Sequence, residues 1–150
     1  MAEVRRRSGQ SKQAAIRGHV LVAEDDRVSQ FYIAEVLKNL GCSSDLVSNG
    51  EDALDAVEQG HYDLVLMDCQ MPEVDGFSAA REIRKREAAG RIPGRVPIVA
   101  VTANTLEGDR ERCLEAGMDE YICKPVEPDS MRVLLERLLA QPPVPRRDRT

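Results

Sequence analysis

No apolar run in the 150 residues approaches the roughly 20 that a helix needs to cross a bilayer, which excludes a membrane-spanning chain. A secretory signal is also missing, because Arg5, Arg6 and Arg7 have no apolar stretch behind them, and a cytoplasmic location is expected. Cysteines are few and single: Cys42, Cys69, Cys113 and Cys123 lack the close pairs of a zinc site or redox motif, so they read as reduced, mostly buried thiols. No glycine-rich loop or Rossmann fingerprint follows the first apolar run, so nucleotide binding lacks its usual cradle. Basic residues are scarce except at the ends. Residues 1–18 carry five Lys/Arg against one acid, and 141–150 carry three Arg against one Asp. Removing both from totals of 21 basic and 26 acidic residues leaves 13 and 24, a body near -11. Such a body argues against a nucleic-acid surface and suits a bound cation.

The length indicates one domain. Residues 1–18 lack hydrophobic periodicity and read as a basic, disordered N-terminal linker, and Pro142, Pro143 and Pro145 mark 142–150 as a Pro/Arg-rich tail. Between them, 19–141 is the expected folded unit. There, short Val/Ile/Leu runs alternate with amphipathic stretches. VLVA at 20–23 is a strand, followed by a helix with Ile33, Val36, Leu37 and Leu40 on one face, ending at Gly41. A strand near 44–47 meets Asn49, an N-cap for the helix carrying Ala53, Leu54 and Val57. The pattern continues with strands at 64–68, 97–102 and 121–123 and helices near 77–89, 106–116 and around Met131 to Leu138. Continuous apolar strands imply burial on both faces, and helical crossovers imply a parallel sheet, giving a doubly wound α/β domain. Sites in such domains lie beyond the carboxyl ends of the strands.

Those ends supply Glu24-Asp25-Asp26, Asp68, Thr102 and Lys124. Clustered carboxylates remain ionised together only when a cation offsets them. An all-oxygen set without His or Cys points to a hard, water-retaining ion, Mg2+ before Ca2+. Lys124 adds a compact charge and Thr102 a hydroxyl donor, both suited to phosphoryl oxygens.

VLVAEDDRVSQ, LVLMDCQMPEVDGF, IVAVTAN and YICKPV, in that order, resemble the receiver domain of two-component response regulators, over about 19–140, and MDCQMPEVDG resembles the receivers attached to hybrid histidine kinases. The resemblance implies a flavodoxin-like (βα)5 fold with five parallel strands in order 2-1-3-4-5, two helices on one face and three on the other. It implies that Asp68 accepts a phosphoryl group from a phosphohistidine. The family's acidic pair falls on Glu24 and Asp25, leaving Asp26 as a solvated or helix-capping acid. Mg2+ would then be held by Asp25, Asp68 and the backbone carbonyl of Gln70, with Glu24 acting through water. Thr102 matches the switch hydroxyl, Lys124 the phosphate-contacting lysine, Tyr121 the aromatic that moves with the hydroxyl, and Pro125 the cis-proline that would turn the lysine inward. Gln70 and Asn104 flank the site where water would attack.

The resemblance further implies a signalling switch, not an enzyme with kinase activity of its own, working with a histidine kinase or a histidine phosphotransfer domain. That partner is expected to dock near the first helix, where Phe31 and Ile33 would be partly exposed. His19 and His61 match no family position and read as surface or loop residues. A phosphatase resembling the haloacid dehalogenase family is the alternative enzyme, but it needs an acid two residues after the nucleophile, where this chain has Gln70. A binding module that is never phosphorylated is the other alternative, and the complete set of Glu24, Asp25, Asp68, Thr102 and Lys124 argues against it.

Overall fold

The computed structural model describes residues 16–71, 74–103 and 107–139. Five strands alternate with five helices: β1 (Gly18–Ala23), α1 (Arg27–Leu40), β2 (Cys42–Val47), α2 (Gly50–Gln59), β3 (Leu64–Asp68), α3 (Gly76–Ala88), β4 (Ile98–Thr102), α4 (Glu107–Glu115), β5 (Glu120–Cys123) and α5 (Pro128–Leu139). The strands pair in parallel in the order β2-β1-β3-β4-β5, so the chain steps to one side of β1 and then to the other. That reversal opens a crevice at the carboxyl ends of β1 and β3.

β3 and β4 are buried at every residue, which their unbroken apolar runs require. One core packs α2, α3 and α4 on the sheet through Leu54, Val57, Phe77, Ile83 and Cys113, against Leu21, Val65, Met67 and Ala100. The other packs α1 and α5 through Ile33, Leu37, Met131 and Leu135, against Val20, Val22, Leu66 and Val99. The division is the expected three and two. None of the helices among the described residues is long and apolar enough to cross a membrane. No disulfide joins any of the four cysteines; Cys42, Cys69 and Cys113 are buried, and burial pushes the Cys42 thiol up.

Local chemistry sets the helix ends. Asp26, Asn49 and Asp75 each cap a helix by accepting a backbone N–H three residues on, from Ser29, Asp52 and Ser78. Gly41, at φ 104°, closes α1 in a left-handed conformation that glycine adopts without penalty.

Several boundaries differ from those expected. β1 and β2 start early because Gly18 pairs with Cys42 and His19 with Ser43, extending the ladder into polar sequence. Ile16, inside the stretch read as linker, is 7% exposed, and its N–H donates to the Leu40 carbonyl at 2.9 Å. Pro97 lies just outside β4; it has no N–H to donate, though its carbonyl accepts from Val65 at 2.9 Å. Ile33, expected with Phe31 at the surface, is instead a core residue at 2% exposure. The exposed face of α1 carries Val28, Phe31 and Tyr32 at 76%, 60% and 44%.

Candidate functional site

The sheet ladder runs one residue past three strand ends and so fixes the residues that follow them. Glu24 N–H donates to Val47 at 3.0 Å, Cys69 N–H to Val101 at 3.0 Å and Lys124 N–H to Thr102 at 2.8 Å. Glu24 and Lys124 are thus held by their own backbone bonds, and Asp68 by its register with Val101 and the bond of the following Cys69, before any side-chain contact is counted. Gln30 strengthens the first of these. Its buried amide donates to the Glu24 carbonyl at 2.7 Å and the Val47 carbonyl at 3.1 Å, tying α1 to the ends of β1 and β2.

Glu24, Asp25 and Asp68 each offer a carboxylate oxygen within 4.8 Å of the others. Glu24 and Asp68 are 1% and 4% exposed, whereas Asp25 faces solvent. Asp68 Oδ1 accepts from Gln70 N–H at 3.0 Å, and Oδ2 lies 3.4 Å from Lys124 Nζ. Glu24 Oε2 accepts from Asp26 N–H at 3.1 Å. Lys124 Nζ is nearer to Glu24 Oε1, at 3.0 Å, yet it is aligned for hydrogen bonding only to Oε2, at 3.4 Å. Oε1 is therefore buried beside a charge without a hydrogen bond.

Burial is the main reason that the Glu24 carboxyl stands above its ordinary range. Burial alone would lower Lys124, but the hydrogen bond to Glu24 and the charges of Asp68 and Glu24 outweigh it and hold the ammonium above its usual range. Three carboxylates face one ammonium, an imbalance that a divalent cation would correct. The all-oxygen donor set and the orphaned Glu24 Oε1 both fit a hard ion such as Mg2+.

Thr102, 5% exposed, ends β4. Tyr121 pairs with Ala100 and Cys123 with Thr102, and side chains two residues apart share a face, so Thr102 and Tyr121 lie on the same side of the sheet. Tyr121 packs, partly buried, on the core under α2, α3 and α4. A cavity of about 460 Å³ opens against Thr102, Cys69 and Gln70 and is walled by Phe77 and Arg112, whose guanidinium carbon sits 4.3 Å from the Phe77 ring centre. None of the three carboxylates lines it. The Lys124–Pro125 peptide is cis. One residue further, the Val126 carbonyl accepts the Tyr32 hydroxyl at 2.6 Å, joining α1 to the loop that carries Lys124.

Of the remaining sequence candidates, Asn104 lies outside the described residues. Asp26 caps α1 by accepting from Ser29 N–H, and that bond, with a second from the Ser29 side chain, lowers its carboxyl. His61 is exposed in the turn before β3. His19 sits at the opposite end of β1 from the acids, stacked on Tyr62 and bonded to Ser43 and Asp45.

Two positions escaped the sequence reading. A Cβ on Gly76 would lie 3.0 Å from both the Asp68 carbonyl carbon and the Cys69 Cα, so only glycine lets α3 start against the backbone of Asp68. Its signal was present in the MPEVDG run. Gln30 could have been noticed as a polar residue at helical spacing from Ile33 and Leu37.

Residues 20–136 match the family described as the response regulator receiver domain. Hybrid signal transduction histidine kinase L of Dictyostelium discoideum is 37% identical over 123 residues, 80% of this chain and 7% of that protein. The chain thus spans a small part of that relative's length. The receiver domain of the sensor histidine kinase PA1611 from Pseudomonas aeruginosa, solved with a magnesium ion coordinated in its active-site cleft, superposes with a TM-score of 0.74 at 43% identity, covering 83% of this chain and 98% of that one. The receiver domain of the response regulator Ssk1 from Saccharomyces cerevisiae, solved with the histidine phosphotransfer protein Ypd1, gives 0.79 at 27% identity, covering 85% and 92%.

Proposed function

Because this chain belongs to the response regulator receiver domain family, we propose that it takes a phosphoryl group from a phosphohistidine onto Asp68 and passes on a two-component or phosphorelay signal. The observation that carries this reading is the meeting of the Glu24, Asp25 and Asp68 carboxylates within 4.8 Å, with Lys124 Nζ 3.4 Å from Asp68.

A carboxylate oxygen of Asp68 attacks phosphorus, the phosphorus–nitrogen bond breaks, and the imidazole nitrogen leaves with the electron pair and takes a proton from solvent. Phosphoryl transfer depends on alignment and charge neutralisation more than on covalent help from other groups. Mg2+ held by Asp25, Asp68 and the Gln70 carbonyl, with Glu24 acting through water, would neutralise part of the charge on the transferred group. Lys124 neutralises another part from the opposite strand. The Thr102 hydroxyl donates to a new phosphoryl oxygen, and Tyr121 follows on the same sheet face. The cavity beside Thr102 supports this step by leaving room for it. The rearrangement biases the surface of α4, β5 and α5. Gln70 and Asn104 govern the water that removes the phosphoryl group, so the switch resets itself, while kinase activity lies in another domain or protein.

The donor is a histidine kinase core or a histidine phosphotransfer domain, docked on α1 through Phe31 with Val28 and Tyr32 beside it, a placement supported by their exposure. Residues 1–18, apart from the packed end at Ile16, serve as a basic linker, and 142–150 as a Pro/Arg-rich tail. Cysteines that stay as thiols rather than disulfides support action in the reducing cytoplasm.

Asp68→Asn keeps the shape and removes the anionic nucleophile. Intact-protein mass spectrometry after incubation with a small phosphodonor and Mg2+ should show one added phosphoryl group in the wild type and none in the variant. A phosphorylated Asp68→Asn species would sink the assignment.

A further inference from the structure

The sheet holds Lys124 at its backbone, through the N–H bond to the Thr102 carbonyl at 2.8 Å, while the ammonium reaches across to Glu24 at 3.0 Å and Asp68 at 3.4 Å. A lysine stem is long and flexible, so the course of the chain that follows it decides where the charge falls. Pro125 has no N–H through which the fold could hold it. The next point of grip is Val126, and it is gripped in two ways. Its side chain, 2% exposed, joins the core under α1 and α5, and its carbonyl accepts the Tyr32 hydroxyl at 2.6 Å. Apolar packing is non-directional, whereas a short hydroxyl–carbonyl bond fixes where one atom sits.

The ladder of α5 leaves that carbonyl to Tyr32. Met131 N–H donates to the Glu127 carbonyl at 2.9 Å as the helix begins, so Val126 lies ahead of the helical bonds. Tyr32 lies 94 residues away in sequence, so the bond exists only in the folded domain and is no by-product of local helix geometry. Its ring is 44% exposed, yet its hydroxyl turns to this internal loop. The same helix also grips the acid that faces the lysine, because the Gln30 amide donates to the Glu24 carbonyl at 2.7 Å. Both partners of the Glu24–Lys124 ion pair are therefore set from α1, the acid by Gln30 and the lysine loop by Tyr32.

We propose that Tyr32 is a positioning residue for phosphoryl acceptance: its hydroxyl holds the Val126 carbonyl and, through it, keeps the Lys124 ammonium in reach of the group arriving on Asp68. Tyr32 acts through the lysine and not on the reacting atoms. Without the bond the loop gains freedom, the ammonium spends time away from Asp68, and charge on the transferred group is met less often. The proposal rests on the reading of Asp68 as the phosphoryl acceptor.

Tyr32→Phe keeps the ring and removes the bond. The readout is the rate at which a small phosphodonor with Mg2+ labels the full chain, followed by intact-protein mass spectrometry. Such a donor needs no docking on α1, so a lost rate reports the site alone. Tyr32→Phe should be labelled at least about threefold more slowly than the wild type. Asn49→Ala, which removes a helix cap away from the site, should be labelled at the wild-type rate, and this separates positioning from a general loss of stability. A cycle with Lys124→Ala shows the route of the effect, since adding Tyr32→Phe to that variant should slow labelling no further. Equal rates in the wild type and Tyr32→Phe would overturn the proposal, and so would a deficit that persists undiminished in the Lys124→Ala background. A wild type that takes no label would sink the assignment of Asp68 and the proposal with it, an outcome distinct from a labelled wild type matched by its variant.

Discussion

Glu24 is the most enclosed charge of the site, and Lys124 is what makes its ionisation tolerable. Removing one partner of a buried pair costs more than removing both, because the survivor keeps its desolvation penalty. Lys124→Ala should therefore lower unfolding free energy at neutral pH by about 1–3 kcal/mol, and Glu24→Gln in the same chain should restore much of it. Urea unfolding of the single and double variants measures this; equal stabilities would show that the pair does not share its charge as the 3.0 Å separation implies. Asp25 differs, being exposed and unneeded for the fold. Asp25→Ala should leave unfolding unchanged while weakening Mg2+ binding at least about tenfold, or ~1.4 kcal/mol, by titration. Gly76→Ala should cost about 2 kcal/mol or more and slow phosphoryl acceptance, because the added carbon collides with the backbone of Asp68. Glu24, Asp68, Thr102 and Lys124 were legible in the sequence because each immediately follows or ends an apolar run, with Asp25 one residue further on, and parallel sheets bring such ends together. Gly76 and Gln30 were not, because their roles consist of close approaches between segments that no local pattern records.

At the scale of elements, the helices differ in how firmly they are held. α2 owes its start to Asn49, whose side chain accepts Asp52 N–H at 2.7 Å. Asn49→Ala should cost about 1 kcal/mol in thermal or urea unfolding and leave phosphoryl acceptance at Asp68 intact, since the cap lies off the site. α4 is mostly polar, and the residue it buries among those described is Cys113, with Ala116 just beyond. α1 buries Gln30, Ile33, Val36, Leu37 and Leu40. Amide exchange should accordingly be faster throughout α4 than in the middle of α1, because α4 has less apolar surface to hold it; equal protection would contradict this. The strand interiors at 64–68 and 98–102 were readable because burial on both faces leaves no polar interruption. The starts of β1 and β2 were not, because Gly18, His19, Ser43 and Ser44 join the ladder through backbone bonds that their side chains do not advertise.

Across the whole molecule, the end of the sheet remote from the acids carries its own polar clasp. The Tyr62 hydroxyl donates to Asp45 at 2.7 Å, and its ring stacks on His19 with centroids 5.1 Å apart. Burial first, then the bond to the Asp45 carboxylate, pushes the Tyr62 phenol up to about 12. A phenol raised on folding stabilises fully below its unfolded value of about 10 and loses that contribution as pH rises through the folded one. Because the ring is only partly buried and solvent screens the Asp45 charge, the contribution is below about 1 kcal/mol. Tyr62→Phe should flatten the alkaline limb of the stability curve between those two values, and an unchanged limb would place the alkaline loss elsewhere. At the other end of the sheet, the bond from Tyr32 to the Val126 carbonyl makes α1, the proposed docking helix, and the lysine loop one mechanical piece. Linkage is reciprocal, so any factor by which a phosphoryl group on Asp68 alters the affinity of α1 for its donor is the factor by which the bound donor alters the tendency of Asp68 to be phosphorylated. A donor that grips the empty form more tightly is released by its own product, and turnover is then built into the grip.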